Sequence, residues 1–255
     1  MKRSVNLEDL VEYLDSYLLV RETPDYPQAM NGLQVEGKPD VKKIAFAVDA
    51  CLFSIQEAHK KDADILIVHH GLFWELPAPI RGPLKERFKV LLSGNLSLYS
   101  VHLPLDRHEE VGNNVTLARS LGFEIEGHFG TFQGVEIGVI GKGRMTLDEL
   151  NRRIRDYLGD HPVKIFPFGP DRIERIGIVS GGGGEALKEA IELGLDAFLT
   201  GEALHHHYFT AEEGRINLIL AGHYATEQVG LWSLMKHLEE KFSVETFFID
   251  HPTGM

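Results

Sequence analysis

Short apolar runs recur along the chain and are separated by amphipathic stretches. Residues 65–68, inside "DADILIVHHGLFW" (62–74), are wholly apolar and partly β-branched, with an acidic turn before them and a glycine after them. This pattern is typical of a buried strand in a parallel sheet. Residues 52–61 and 185–193 have helical periodicity and lie between such runs. Since parallel strands need crossover connections, the pattern predicts an α/β fold with mainly parallel sheets and flanking helices.

The same order of blocks occurs twice, which indicates an internal duplication. The matched pairs are 5–18 with 145–158, 41–70 with 173–202, and 95–106 with 216–227. The repeat predicts two similar α/β units, residues 1–127 and 128–255, joined through the glycine-rich stretch 126–144. We expect two such units to fold back on each other and to leave a cleft.

Composition narrows the classes of partner and compartment. The chain has 255 residues, 43% of them hydrophobic and 25% charged, with a formal charge of −12. This acidic balance disfavours a nucleic-acid partner. The single cysteine, Cys51, excludes an intramolecular disulfide and suits a reducing cytoplasm. The amphipathic start lacks a signal-peptide core, and no apolar run approaches the length of a membrane span. We therefore expect a cytoplasmic protein without a membrane partner.

Histidines follow the predicted strands at their carboxyl ends, where ligands gather in open α/β sheets. The candidates, with the carboxylates that follow two of them four positions on, are His69, His70, His102, Asp106, His223 and Glu227. If residues from 223 onward open a helix, His223 and Glu227 share one of its faces. Imidazoles and carboxylates that converge suit a divalent ion such as Zn, Mn, Fe or Co.

Other histidines fit a different interpretation. A single histidine at a strand end is usually a core or surface residue, and only the repetition at matching strand ends favours a metal site. The run His205–His207 has the look of a polar helix start. We predict that it lies at the surface and binds metal only adventitiously. The same interpretation applies to His128 and His251.

The stretch "SGGGGEALKEA" (180–190) lies between a predicted strand and helix. It lacks the lysine of a P-loop and the spacing of GxGxxG, so we interpret it as a tight turn rather than a phosphate-binding loop. Nearby, Glu202 occupies the position that His70 has in the first half. Glu202 either contributes to the site as an orienting or substrate-contacting group, or it is a solvated strand end.

Five ordered motifs resemble those of the Nif-three-like dinuclear metal-centre proteins, also called GTP cyclohydrolase I type 2 homologues. The motifs are "NGLQVEG" (31–37), "ILIVHHGLFW" (65–74), "SVHLPLD" (100–106), "DAFLTGE" (196–202) and "GHYATE" (222–227). The resemblance implies that His69, His70, Asp106, His223 and Glu227 are the ligands of two divalent metal ions. It also implies a homohexameric toroidal ring built from trimers, and it leaves open whether residues 228–255 pack back onto the first unit.

These features lead to two functional hypotheses. The first is a dinuclear metal-dependent hydrolase of a small cytoplasmic substrate, of the GTP cyclohydrolase type that the resemblance implies, in which His102 acts as a proton shuttle or orients a ligand. The alternative is a non-catalytic scaffold, or a metal-handling or regulatory protein, in the same hexameric ring. Fold analogy alone cannot decide between an enzyme and a scaffold.

Overall fold

The computed structural model describes residues 4–75, 77–159 and 161–255. Contacts divide the chain into two compact units. The first comprises the chain up to Leu105 together with Leu231–His251, and the second comprises Asp106–Gly230 together with Pro252–Met255. The sequence places a boundary at residues 127 and 128, whereas these units divide after residue 105 and after residue 230. No helix within the described ranges is long and apolar enough to cross a membrane.

Both units contain helices and strands. Up to residue 106 they are β1 (Val5–Asn6), α1 (Leu7–Tyr17), β2 (Gly32–Val35), β3 (Asp40–Val41), β4 (Lys43–Asp49), α2 (Leu52–Lys60), β5 (Ile65–His70), α3 (Gly82–Ser93), β6 (Ser97–Ser100) and α4 (Leu103–Asp106). The remaining elements are α5 (Asn113–Ser120), β7 (Glu124–Phe132), β8 (Val135–Thr146), α6 (Leu147–Leu158), β9 (Lys164–Phe166), β10 (Arg172–Val179), α7 (Leu187–Glu192), β11 (Ala197–Thr200), α8 (His205–Gly214), β12 (Asn217–Leu220), α9 (His223–Phe242) and β13 (Glu245–Phe248).

The first unit contains a five-stranded sheet in the order β13-β4-β5-β6-β2. Three of its four strand pairs are parallel, and only β2 pairs antiparallel, with β6. The central strands β4 and β5 are almost wholly buried, which explains their continuous apolar sequence. The late strand β13 pairs with β4, so residues 245–248 join the first sheet.

The second unit contains a six-stranded sheet in the order β7-β8-β10-β11-β12-β9. Only the β10-β11 and β11-β12 pairs are parallel, and the other three are antiparallel. The prediction of mainly parallel sheets is therefore wrong for this unit. The cause is a long β7-β8 hairpin with Gln133 and Gly134 at its turn, both at positive φ, as tight hairpin turns require. This hairpin includes most of 126–144, the stretch predicted as a junction.

Both sheets nevertheless share one arrangement. In each, three consecutive parallel strands are followed by an antiparallel edge strand: β4-β5-β6-β2 in the first sheet and β10-β11-β12-β9 in the second. The internal duplication itself remains a prediction from the sequence. What the shared arrangement provides is a row of parallel strand ends in each unit, and the candidate ligands follow those ends.

In each unit an aspartate accepts two adjacent backbone N–H groups near the beginning of a parallel strand, β4 in the first unit and β10 in the second. Asp64 accepts backbone hydrogen bonds from Lys42 and Lys43 at 2.9 and 3.1 Å. Asp196, its partner in the repeat, accepts them from Glu174 and Arg175 at 2.8 and 2.9 Å. Each carboxylate thus satisfies two adjacent N–H groups that would otherwise lack an acceptor.

We expect Asp196→Ala to lower the free energy of unfolding by about 1–2 kcal/mol, because one exposed and one half-buried N–H group lose a charged acceptor. Urea denaturation followed by circular dichroism measures this change. The control is Asp156→Ala, an exposed position on α6, for which we expect a change within about 0.5 kcal/mol. Equal effects of the two substitutions would show that the hydrogen bonds to Asp196 contribute nothing.

Candidate metal centre

Three histidines converge in the first unit at the carboxyl ends of adjacent strands. His69 and His70 end β5, and His102 follows β6. His69 is fully buried, and the other two are half-buried. One ring nitrogen of each lies within 4.8 Å of the others, close enough for the three to share a metal ion. The predicted strand-end cluster is therefore present within this unit.

In all three rings the nitrogen that makes the hydrogen bond is Nδ1. The Nδ1 atoms of His69, His70 and His102 each lie 2.9 Å from an oxygen: the carbonyl of Val101, Oδ1 of Asp49 and Oδ1 of Asp25, respectively. A carbonyl or a carboxylate can only accept, so we assign the proton to Nδ1. Nε2 is then the nitrogen that can coordinate a metal, an arrangement typical of metal-binding histidines.

Asp25 is a nearly buried carboxylate that serves His102 in particular. Its Oδ2 accepts hydrogen bonds from Asn31 Nδ2 at 2.8 Å and from the backbone N–H of Leu103 at 3.0 Å. Burial by itself raises the pKa of Asp25, but the hydrogen bond and charge of His102, with the bonds from Asn31 and Leu103, outweigh it and hold the pKa below its usual value. Asp25 is thus ionised and anchored beside the histidine.

In the second unit His223 and Glu227 lie one turn apart at the start of α9. His223 Nε2 is 3.0 Å from Glu227 Oε1, and His223 Nδ1 is 2.9 Å from Glu202 Oε1. Two atoms bound to one zinc-like ion at about 2.0–2.2 Å lie about 3–3.5 Å apart, so the first distance suits shared coordination. Glu202, which is exposed, makes the contact with His223 that Asp25 and Asp49 make with their histidines in the first unit.

The carboxylates around His223 raise the pKa of its imidazole. Burial by itself lowers the pKa of His223, but the hydrogen bonds and charges of Glu227 and Glu202 outweigh it and raise the pKa to about 9. Without a metal, the imidazole is therefore protonated at neutral pH and forms an ion pair with Glu227. A metal ion that binds Nε2 must displace this proton.

Asp106 is buried and is held by two side chains. Its Oδ1 accepts hydrogen bonds from Asn113 Nδ2 at 2.8 Å and from Ser180 Oγ at 2.9 Å. Asn113 Oδ1 in turn accepts the backbone N–H of Gly230, at 2.7 Å, in the first turns of α9. The same network therefore connects the Asp106 carboxylate to the helix that presents His223 and Glu227, all within the second unit.

The glycine run at residues 181–184 lets the backbone pass close to Glu227. Gly181 has a φ of +60°, and a Cβ at this position would clash with Glu227 Oε1. The N–H groups of Gly181 and Gly183 donate to the hydroxyls of Thr226 and Thr200 at 2.9 and 3.0 Å. These amides are thus used by the protein itself, as expected of a tight turn rather than a phosphate-binding loop.

A further cluster contains Glu185, His206 and His207, whose ligand atoms also lie within 4.8 Å of one another. His207 is buried, so the prediction that the whole run 205–207 lies at the surface is wrong for this residue. Its Nδ1 accepts the backbone N–H of Leu204 at 2.9 Å and caps α8. In the neutral ring the proton is then on Nε2, the nitrogen that faces Glu185. This tautomer is wrong for metal binding at Nε2.

Two further histidines that the sequence analysis considered, His128 and His251, are in none of these clusters. His128 is half-buried in β7, and the exposed His251 stacks on Phe53 with ring centroids 4.2 Å apart.

Sequence reasoning named Glu202 but missed the other side chains that hold the candidate ligands. Asp49 and Ser180 follow the strand-end rule, since Asp49 ends β4 and Ser180 directly follows β10. The rule that found the histidines could therefore have found these two residues as well. It could not have found Asp25 and Asn113, because neither follows a strand and only the tertiary fold brings them to their partners.

Comparison with known proteins shows similarity along nearly the whole chain. The model of the family Duf34/NIF3 (NGG1p interacting factor 3) matches residues 5–254. The GTP cyclohydrolase 1 type 2 homolog of Pyrococcus abyssi is 46% identical over 250 residues, which cover 97% of this chain and 99% of that protein.

Two solved structures have the same mixed α/β fold. The protein ybgI, described as of unknown function, matches with a TM-score of 0.91 at 35% identity, covering 98% of this chain and 100% of that one. TTHA1606 from Thermus thermophilus matches with a TM-score of 0.89 at 40% identity and the same coverage.

We expect Glu227→Gln to lower the metal content per chain at least about tenfold, because a neutral amide replaces the buried carboxylate beside His223. We expect His206→Ala to leave it nearly unchanged, since the histidine beside it has the wrong tautomer. Both variants are loaded with Zn²⁺, desalted and analysed by plasma mass spectrometry. Equal losses would mean that the wrong histidine cluster had been selected.

Gly181→Ala is expected to lower both stability and metal content, since the new Cβ meets Glu227 and the backbone is left-handed. The matched control is Gly194→Ala, which has a φ of +64° and no other atom within 4 Å of the place that a Cβ would take. The control should cost about 1–2 kcal/mol from the backbone alone and retain the metal. Urea denaturation and metal analysis distinguish the two, and loss of metal from both would contradict the role assigned to Gly181.

Proposed function

Since the chain belongs to the Duf34/NIF3 (NGG1p interacting factor 3) family, which its motifs resemble, we propose that it holds a dinuclear centre of divalent metal ions. The proposed ligands are His69, His70, Asp106, His223 and Glu227. We further propose that the protein is a metal-dependent hydrolase of a small substrate, in keeping with the name of its Pyrococcus abyssi relative.

One observation carries the proposal. Each of the three proposed histidine ligands has its Nδ1 2.9 Å from an oxygen atom: Val101 O for His69, Asp49 Oδ1 for His70 and Glu202 Oε1 for His223. Each can therefore offer Nε2 to a metal, whereas His207 cannot. Nitrogen ligands combined with carboxylates suit borderline ions such as Zn, Mn, Fe or Co.

The number of ligands favours catalysis. Five protein ligands cannot saturate two metal ions even in four-coordinate sites, so positions remain open for water and substrate. Asp106 or Glu227 can bridge two ions, because a carboxylate has two oxygens. When bound, divalent cations acidify water and polarise the group under attack.

The pair of His102 and Asp25 provides a route for the proton. His102 Nδ1–H donates to Asp25, so Nε2 can accept a proton from the attacking water. The ionised Asp25 stabilises the resulting imidazolium, as the aspartate does in a serine-protease triad. The water oxygen bonds to the electrophilic carbon or phosphorus, the bond to the leaving group breaks, and His102 Nε2 returns the proton to the leaving group.

The alternative, a metal-dependent interaction protein, is favoured by the family description as an interacting factor. The proposed homohexameric ring, which rests on the family resemblance, is compatible with both functions. Light scattering coupled to size-exclusion chromatography tests it, and a mass about six times 28.6 kDa is expected. A monomeric or dimeric mass would contradict the ring.

Asp106→Asn tests the enzyme proposal. We expect the variant to lose most of its metal and at least about a hundredfold of its kcat/KM on any substrate that the wild type hydrolyses, because a ligand charge is removed. The assay uses GTP, small amides and phosphoesters with the metal-reconstituted protein. The control is Asp196→Asn, whose carboxylate binds backbone N–H groups away from the ligands.

The result distinguishes the two functions. If Asp106→Asn loses both metal and turnover while Asp196→Asn keeps both, the hydrolase is supported. If Asp106→Asn loses metal but no substrate distinguishes it from the wild type, the interaction protein is favoured.

A further inference from the structure

An apolar groove of about 530 Å³ lies on the first unit. The side chains that line it are Pro27, Gln28, Met30, Phe73, Pro77, Ala78, Ile80 and Phe88. Met30 and Ile80 are 53% and 60% exposed. Its volume lies in the range of small-molecule pockets, and large apolar side chains gathered at the surface mark a binding site more often than single ones do.

The segments that line this groove also contact the histidine cluster. Tyr26 precedes the lining residue Pro27, and its ring centroid lies 6.1 Å from that of His102. Trp74 follows the lining residue Phe73, and its ring is 4.9 Å from His102 and 6.0 Å from His70, edge-on to both. The Tyr26 and Trp74 rings are themselves 6.1 Å apart. Both rings thus contact the histidine cluster, and each is the chain neighbour of a residue that lines the groove.

Trp74 also carries a hydrogen-bond donor that the protein does not use. Its Nε1 is buried and has no hydrogen-bond partner among the parts of the chain that the structure describes. A buried donor without an acceptor is costly, and indole N–H groups usually find a partner when they are buried. Trp74 thus carries an unused donor on a ring that lies edge-on to His70 and His102.

The chemistry of the groove selects among ligands. None of the eight lining residues is charged, and the chain carries a net charge of −12. This environment does not neutralise a phosphate chain, but it can remove an aromatic ring from water. The histidine cluster and the groove therefore favour different parts of one molecule: a polar, metal-coordinating group at the histidines and an apolar ring in the groove.

We propose that the groove is the subsite for an aromatic arm of the substrate, with the group to be hydrolysed held at the histidines. The substrate class is a small molecule with an uncharged aromatic arm. This inference rests on the proposed metal-dependent hydrolase, because the metal ions anchor the polar end.

Two hydroxamates that differ only in the arm test the subsite. Benzohydroxamate and acetohydroxamate carry the same metal-chelating group, and only the first has an aromatic ring. Calorimetric titration into the Zn²⁺-loaded protein is expected to give at least about tenfold tighter binding of benzohydroxamate, because burying a phenyl ring removes apolar surface from water. Equal affinities would overturn the inference and leave the metal centre intact. Binding of neither probe to metal-loaded protein would overturn the proposed function as well.

Substitutions in the groove test whether the groove is the cause of the preference for benzohydroxamate over acetohydroxamate. Ile80→Glu and Met30→Glu place a charge on the groove and leave the histidines in place, so we expect both to reduce the tenfold preference to less than about twofold while acetohydroxamate binds as before. The control Leu193→Glu changes an exposed leucine in the second unit and should keep the preference.

Metal content and light-scattering mass are measured for every variant. If the groove variants lost affinity for both probes and changed the mass of the assembly, the groove would be a surface between copies of the chain, and the inference would be overturned.

Discussion

The hydrogen bond at Nδ1 is the interaction on which the candidate centre depends. A neutral imidazole has one proton and one lone pair, so the partner of one nitrogen decides what the other can do. An oxygen 2.9 Å from Nδ1 of His69, His70 and His102 places the proton there and leaves the lone pair on Nε2. His223 makes the same Nδ1 contact with Glu202, but its Nε2 is protonated beside Glu227 until a metal ion displaces that proton. His207 shows the opposite case, because a backbone N–H points at its Nδ1. Proximity of histidines and carboxylates is common to both clusters, and the direction of one hydrogen bond separates them.

Several of these oxygens come from the same strand ends that carry the histidines. Parallel strands bring their carboxyl ends to one edge, so Asp49 at the end of β4 lies beside His70 at the end of β5. In the second unit the ends of β10, β11 and β12 bring Ser180, Thr200 and the His223 turn together in the same way. Small residues and hydroxyls between the strands and helices let the backbone pass close to the ligands, as Gly181 passes Glu227. Strand pairing and orientation of the ligands are thus parts of one arrangement.

The two units carry complementary sets of donors. The first offers three imidazoles and the second offers one imidazole with two carboxylates, each set oriented by its own unit. The apolar groove beside Tyr26 and Trp74 is found on the first unit, among uncharged side chains. A measured preference for an aromatic arm would identify a substrate feature that the names of its relatives do not specify.

The sequence by itself determined which residues are candidates, because strand ends, apolar periodicity and a histidine followed by a carboxylate are all local patterns. It predicted α/β units, the capacity of residues 223–227 to share a helical face and the family. It did not determine that the second sheet is mixed. The strands of a β-hairpin can be as apolar as those of a parallel crossover. In this chain the turn at Gln133 and Gly134 makes β7 and β8 a hairpin. Only the tertiary structure identified Asp25 and Asn113 and set the tautomer of each histidine. A tautomer depends on which atom lies about 3 Å from a ring nitrogen, and that atom is distant in the chain: 32 residues away for His69 and 77 for His102.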